Sequence, residues 1–167
     1  RCWTQTASGF RRLWQALGTI MSNWDRKIII EKIRSSADRY GATNPQQLKQ
    51  LMFGCEKSPE TEVFYGLFSF FYDPSLQENK YERQQLSGTI LLSLAPSSPL
   101  ALDGSIYAAA TIWDLSIEEL PWYWCKIFGK EAVANFLENH ISDCTDKHVI
   151  KSFETMLFWA KGYKNGA

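Results

Sequence analysis

The sequence predicts an all-α protein, a single globular bundle of about eight or nine short helices packed as antiparallel hairpins. Apolar residues recur at intervals of three and four along most of the chain, which is the period of an amphipathic helix. Cap residues and glycine stops separate these stretches. No segment shows the strict alternation or the hairpin turn of paired strands. The 167 residues, 45% hydrophobic and 22% charged, are enough for one domain with a sizeable core.

The first predicted helix lies in a basic amphipathic N-terminal segment, residues 1–20, ahead of a single all-α domain at residues 21–167. The segment contains three arginines and no acidic residue. Three interpretations are open: it packs onto the body of the fold, it is a leader, or it contacts a membrane surface or a partner groove. Its apolar stripe consists of Phe10, Leu13, Trp14 and Leu17.

Three helix starts follow in the first half of the chain. Residues 22–25 fit a capping box, and residues 44–45 and 58–60 each place proline directly after a cap residue. Gly41 and Gly54 are predicted to end the first two of these helices.

The middle of the chain is predicted to be mostly buried. The apolar run at residues 63–72 follows the third start signal and is predicted to be a buried helix. Residues 76–95 are predicted to form a long helix that is solvated in its polar first half and buried in its second. Residues 96–99 are a Pro/Ser loop, and the small apolar residues 106–113 suit close helix packing.

The C-terminal helices carry similar signals. Residues 116–119 fit a second capping box, which would open a helix over residues 120–128 that stops at Gly129. A helix over residues 131–141 follows, and the last helix is predicted to end near Gly162.

The two histidines and a nearby thiol raise the question of a metal site. On one continuous helix, His140, Cys144 and His148 would share a face and could reach a zinc ion. A helix break with a new N-cap at Asp143 or Thr145 is favoured instead, because these are typical cap residues. No metal site is therefore predicted.

Cysteine usage favours a reduced, cytoplasmic protein. Cys2, Cys55, Cys125 and Cys144 form no C-x-x-C pair, and no secretory signal precedes them. A thiolate at Cys144 beside His148 is a conceivable nucleophile, and loss of activity on Cys144→Ala would be its minimum requirement. The sequence has no glycine-rich oxyanion turn, phosphate loop or cofactor motif, so we expect neither an enzyme nor a cofactor.

The formal net charge of zero hides an uneven distribution. Residues 1–35 carry seven basic and two acidic side chains, residues 36–146 seven and fifteen, and residues 147–167 four and one. Either the basic ends pair with the acidic middle across the fold, or the middle presents an acidic face to a cationic partner. Direct nucleic-acid binding is not expected, because no basic stripe is sustained. A membrane-spanning helix is not expected, because no apolar run approaches ~18 residues, and the zero net charge argues against membrane-surface binding as the main function, so no membrane partner is predicted.

The most unusual stretch is residues 113–124, which hold three tryptophans. Trp is concentrated at binding hot spots because it buries much area at small entropic cost. One interpretation places these rings in the core, with one of them partly exposed. The other is an acidic, aromatic-rich surface that binds a partner protein, with contact residues Asp114, Glu118, Glu119 and Trp122.

Together with residues 126–133, this stretch resembles the immunity proteins of bacterial contact-dependent growth inhibition. The resemblance is one of overall character and matches no individual functional residue. It implies a non-enzymatic, cytoplasmic protein that neutralises one cognate toxin domain, commonly a basic nuclease, by masking its active site.

Another possible function is a helical regulatory domain that binds a small hydrophobic ligand. Its pocket would be lined by Phe64, Phe68, Phe71 and Trp113, and it predicts a cavity and a copurifying molecule.

Overall fold

The computed structural model describes residues 23–164, which are all-α as predicted: the model is 74% helical, with eight α-helices and no strand among these residues. No helix of this described part is long and apolar enough to cross a membrane. The predicted helix at residues 8–18 lies outside the described residues. The eight helices are α1 (Arg26–Tyr40), α2 (Pro45–Glu56), α3 (Glu60–Phe68), α4 (Lys80–Leu94), α5 (Leu102–Ala109), α6 (Glu119–Phe128), α7 (Lys130–Asp143) and α8 (Lys147–Gly162).

The fold is organised around α4, which packs against α1, α2, α3 and α6. The predicted buried run at residues 63–72 comprises the end of α3 and a 3₁₀ turn, Ser69–Phe71, at the centre of the core. Helices α6, α7 and α8 form the other half of the bundle. A second 3₁₀ turn, Pro74–Leu76, precedes α4, so the long helix predicted from residue 76 begins only at Lys80.

Three helices begin at side-chain caps. The carboxylate of Asp25 caps α1, the amide oxygen of Asn44 caps α2, and the carboxylate of Asp146 caps α8. Asn44 was the predicted cap of α2. In the capping box predicted at residues 22–25, the last residue, Asp25, is itself the cap of α1. The predicted caps of the last helix, Asp143 and Thr145, are wrong. Helix α7 continues through Asp143, and Asp146, the residue after Thr145, is the cap of α8.

The capping box predicted at residues 116–119 is wrong as well. Ser116 donates its backbone N–H and its hydroxyl to the Asp114 carboxylate, at 3.0 and 2.6 Å, in a local turn. Helix α6 begins at Glu119, one residue before the predicted start, and Glu118 ahead of it makes no side-chain cap. It ends at Gly129 as predicted, where φ is +95°. The small apolar helix α5 also differs: it begins before residue 106 and ends at Ala109.

Gly54 does not end α2 but lies inside it, under the indole of Trp24. A Cβ at position 54 would lie 1.9 Å from the Trp24 ring. The backbone N–H of Trp24 donates to the hydroxyl of Ser58 at 2.9 Å. The missing side chain at Gly54 therefore lets the chain ahead of α1 pack closely against α2.

Two polar residues in the first half of α4 are buried, contrary to the prediction that this half is solvated. Arg83 is 3% exposed and Gln84 is 1% exposed. Arg83 forms a two-bond ion pair with Asp38 of α1, with N···O distances of 2.8 and 2.6 Å, and donates to the Leu76 carbonyl at 3.3 Å. Polar residues become buried here because each finds partners on neighbouring elements.

Candidate protein-binding surface

The most exposed large apolar side chain among the described residues is Phe158 on α8, at 67%. Its ring meets that of Trp159 edge to face, with centroids 5.1 Å apart. Trp159 is half-buried, as is Trp122 on α6. We call these three side chains, Trp122, Phe158 and Trp159, the aromatic patch.

Two indole hydrogen bonds hold the patch in place. Trp122 donates Nε1–H to the backbone carbonyl of Trp159 at 3.0 Å. Trp159 donates its own Nε1–H to the carbonyl of Leu115 at 2.9 Å. The two bonds join α6, α8 and the loop before α6, so both indoles have fixed orientations and satisfied polar atoms.

Two of the predicted acids lie near this patch. Glu118 is half-buried and precedes Trp122 by one helical turn, so the two share a face of α6. Asp114 adjoins Leu115, but its carboxylate accepts two hydrogen bonds from Ser116. The backbone N–H of Asp114 donates to the buried amide of Gln84 at 2.8 Å, which fixes this loop against α4.

The third predicted acid, Glu119, is directed away from the patch. Its Oε1 accepts a hydrogen bond from Gln85 of α4, and its Cβ lies close to Gly88. Its Oε2 is buried without a hydrogen-bond partner among the described residues. Burial is the main cause that raises the pKa of this carboxyl above its ordinary value. The structure therefore places Glu118 one helical turn before Trp122, Asp114 in the loop before α6, and Glu119 between α4 and α6.

The other two tryptophans of the predicted segment belong to the core. Trp113 is 3% exposed and donates Nε1–H to the Ile117 carbonyl at 3.0 Å. Trp124 is fully buried, and its Nε1 has no hydrogen-bond partner among residues 23–164. The interpretation of these rings as core residues with one partly exposed thus matches the structure.

Sequence reasoning missed Phe158. A signal was present, because the inward positions of the last helix are occupied by Phe153, Met156 and Ala160, and Phe158 falls on the opposite, polar side of this stripe. A large aromatic ring on the polar face of an amphipathic helix is a candidate for a contact surface where it adjoins another ring, as Phe158 adjoins Trp159.

Many acids of the middle segment already have partners within the fold. Glu62 binds Arg26 at 2.6 Å, which lowers the pKa of this carboxyl to about 2 through the hydrogen bonds from Arg26. Lys161 binds Glu138 at 2.8 Å. These two pairs join basic residues near the chain ends to the acidic middle, so part of the charge segregation is resolved inside the fold.

The rings proposed to line a ligand pocket are packed against one another. Phe64, Phe68 and Phe71 are fully buried, and Phe64 stacks on Phe68 with centroids 5.1 Å apart. None of these side chains, nor Trp113, lines any of three surface depressions found in the described part of the chain.

The Cys144 and His148 side chains are directed at different backbone carbonyls. The sulfur of Cys144 lies 3.7 Å from the Asp146 carbonyl, and Nε2 of His148 lies 3.3 Å from that of Thr111. His140 lies on α7 and is separated from His148 by the predicted helix break. Within residues 23–164, no group of three or more His, Cys, Asp or Glu side chains is placed to hold a metal ion.

No protein-family model, curated relative or solved structure matches this chain. The geometry of the described residues defines a helical domain with an aromatic patch that is held by two indole hydrogen bonds.

Proposed function

We propose that this chain is a non-enzymatic protein-binding domain and that the aromatic patch is its contact surface. The observation that carries the proposal is the exposure of Phe158 beside two indoles that are held by hydrogen bonds. An isolated exposed phenylalanine is ordinary on a protein surface, but this one meets the ring of Trp159, whose backbone carbonyl accepts the indole N–H of Trp122.

The rigidity of the patch favours binding. Trp122 and Trp159 have lost their side-chain freedom on folding, so a partner does not have to order them again. Large aromatic side chains with one exposed edge are the residues that supply most of the free energy at protein interfaces.

The kind of partner we propose is a basic toxin domain in the cytoplasm, as the resemblance to immunity proteins implies. Glu118, beside Trp122, and Asp114 would supply negative charge at the edge of the patch. Charges at the rim of an interface mainly raise the association rate and the sensitivity to salt. Glu119 is not part of this surface, because it faces α4.

The test starts from a protein captured by the tagged chain from its native lysate and then purified. We expect Phe158→Ala to weaken the binding of this protein at least about tenfold by calorimetry, the effect of a hot-spot residue. Tyr81→Ala is the matched control, because Tyr81 is an exposed aromatic on α4 at 49% exposure and lies outside the patch. Equal binding by the Phe158→Ala variant would refute the assignment of the surface.

A second experiment tests the toxin role separately. The captured protein is assayed for nuclease activity with and without the chain, and we expect stoichiometric inhibition. Glu118→Gln should slow association at low salt and leave the dissociation rate nearly unchanged. A captured protein that is acidic, or that remains active in the complex, would contradict the inhibitor role while leaving the binding surface intact.

A further inference from the structure

A depression of about 450 Å³ lies between α1 and α2. Helix α1 lines it with charged and polar side chains, and α2 lines it with Gln47, Gln50 and Leu51. Two aromatic rings, those of Trp24 and Tyr40, complete the described lining. We call this depression the α1–α2 groove.

Two cations line this groove without an acidic partner in the described part of the chain. The amine of Lys32 lies 4.8 Å from the centroid of the Trp24 ring, and the guanidinium of Arg39 lies 5.2 Å from the centroid of the Tyr40 ring. Both cationic side chains are exposed, and neither forms an ion pair or a hydrogen bond with another described residue. The ring faces hold the two cations at the groove, and their charges remain available to an anion.

The acids of neighbouring sequence do not neutralise these cations. Glu31 is the one acidic residue among the described lining residues, and it pairs with Arg34. Asp38, on the same helix, pairs with the buried Arg83 at 2.6 Å. Residues 1–22 contain no Asp or Glu, so the preceding sequence cannot supply a carboxylate. The groove is therefore electrostatically complementary to an anion from another molecule.

The spacing of the two cations indicates the shape of that anion. Lys32 and Arg39 are seven positions apart, which is two helical turns and about 10 Å along one face of α1. A single phosphate or carboxylate is too small to contact both. Two glutamates three residues apart in a polyproline II peptide lie on one side of it and about 9 Å apart, because this helix has about 3 residues per turn and rises about 3.1 Å per residue.

Amide and aromatic side chains of the groove suit the backbone and the prolines of such a peptide. The Gln50 side chain is exposed and forms no hydrogen bond with another described residue. The amide oxygen of Gln47 accepts from the Ser36 hydroxyl at 3.5 Å, and its NH₂ group can donate to a peptide carbonyl. Proline-rich peptides bind in grooves lined by aromatic rings, a role that Trp24 and Tyr40 can take here.

We propose that the α1–α2 groove binds an extended acidic peptide segment of another protein. One carboxylate of this segment binds Lys32, and a second, three residues away, binds Arg39. The inference is independent of the proposed function, because the aromatic patch lies on α6 and α8 and its proposed partner is basic.

The first test compares two isomeric peptides by nuclear magnetic resonance titration of the full chain at about 0.15 M salt, where distant charges are screened. The acetylated and amidated peptide Glu-Pro-Pro-Glu should shift the indole N–H signal of Trp24, which is assigned from its loss in Trp24→Phe. It should bind at least about threefold more tightly than Pro-Glu-Glu-Pro, which has the same charge but adjacent carboxylates.

Variants of the cations provide an independent measurement. Lys32→Gln and Arg39→Gln should each weaken the binding of Glu-Pro-Pro-Glu about three- to fivefold, the effect of losing one exposed ion pair. Lys49→Gln is the matched control, because Lys49 is an exposed cation of α2 that lies outside the groove. It should leave the dissociation constant unchanged.

Four results would each overturn the proposal. Equal binding of the two isomeric peptides, or equal losses in Lys32→Gln and Lys49→Gln, would show only a general attraction of anions. No shift of the Trp24 indole signal would place any binding elsewhere. Inorganic phosphate or a short oligothymidine that displaces the peptide at a lower concentration than the peptide itself requires would assign the groove to a phosphate ligand.

Discussion

The Asp38→Asn substitution tests how α1 is held on α4. Arg83 is almost fully buried, with 4% of its side chain exposed, and its guanidinium donates two hydrogen bonds to the Asp38 carboxylate. An amide at position 38 keeps the size of the side chain and removes its charge. The guanidinium, which cannot lose its proton, then remains buried beside a neutral group.

The expected loss of stability follows from burial. Removing one partner of a fully buried ion pair costs about 3–5 kcal/mol. The Asp38 side chain is 37% exposed, so water already screens part of this interaction, and we expect about 2–3 kcal/mol. For a chain of this size, this corresponds to a decrease in Tm of roughly 4–12 °C.

The loss should depend on pH with a defined sign. The hydrogen bonds from Arg83 lower the pKa of Asp38 below its ordinary value of 3.8. This carboxylate therefore stabilises the fold fully above about pH 4, and its contribution declines as the pH falls through the lowered pKa. The difference between wild type and Asp38→Asn should be constant near neutral pH and should shrink in acid.

The assay is urea denaturation followed by circular dichroism at several pH values. Glu138→Gln is the matched control, because Glu138 belongs to an exposed pair with Lys161 and should cost less than about 1 kcal/mol. If Asp38→Asn were no more destabilising than Glu138→Gln, or if its effect did not change in acid, the buried pair would not hold α1 on α4.

Two further predictions concern packing and burial at other sites. Gly54→Ala should displace the Trp24 indole, lower the free energy of unfolding by about 1–3 kcal/mol and shift tryptophan fluorescence to longer wavelength. The control is Gly104→Ala, which should raise the free energy of unfolding by up to about 1 kcal/mol, because a Cβ at this helical position would have nothing within 4 Å. A Gly54→Ala variant as stable as that control would refute the close contact. Glu119→Gln should raise Tm at pH 7, because burial raises the pKa of Glu119 and penalises its charged form in the folded state. The difference in Tm from wild type should disappear as the pH falls to about 4, where the carboxyl of the wild type is protonated. A Glu119→Gln variant less stable than wild type at pH 7 would contradict this prediction.

The sequence predicted the helices well and several of their caps poorly. Asn44 and Gly129 act as predicted because a cap or a stop depends on a few neighbouring residues. At positions 114–119, the same side chains could form either a turn closed by Asp114 or the predicted capping box at residues 116–119. The turn closed by Asp114 forms because the Asp114 backbone N–H also donates a hydrogen bond to Gln84 of α4. The sequence of residues 114–119 alone contains no information about this contact with α4.

The candidate site was predicted only in part for a similar reason. Trp122 and Glu118 were identified from the density of aromatic and acidic residues in one segment. Phe158 lies 36 positions from Trp122 in sequence, and the hydrogen bond between Trp122 and Trp159 spans 37 positions. No periodicity within a single helix indicates such a contact.

What the sequence by itself determined is the all-α class, most helix positions and the buried run at residues 63–72, since helical periodicity and apolar clustering are local properties. Only the tertiary structure decided which polar residues are buried. Arg83 is buried because α1 supplies Asp38 opposite it, and Glu119 is directed inward because α4 supplies Gln85. Both side chains enter the interior at a point where another helix offers a hydrogen-bond partner, and the positions of these partners are fixed by how the helices pack.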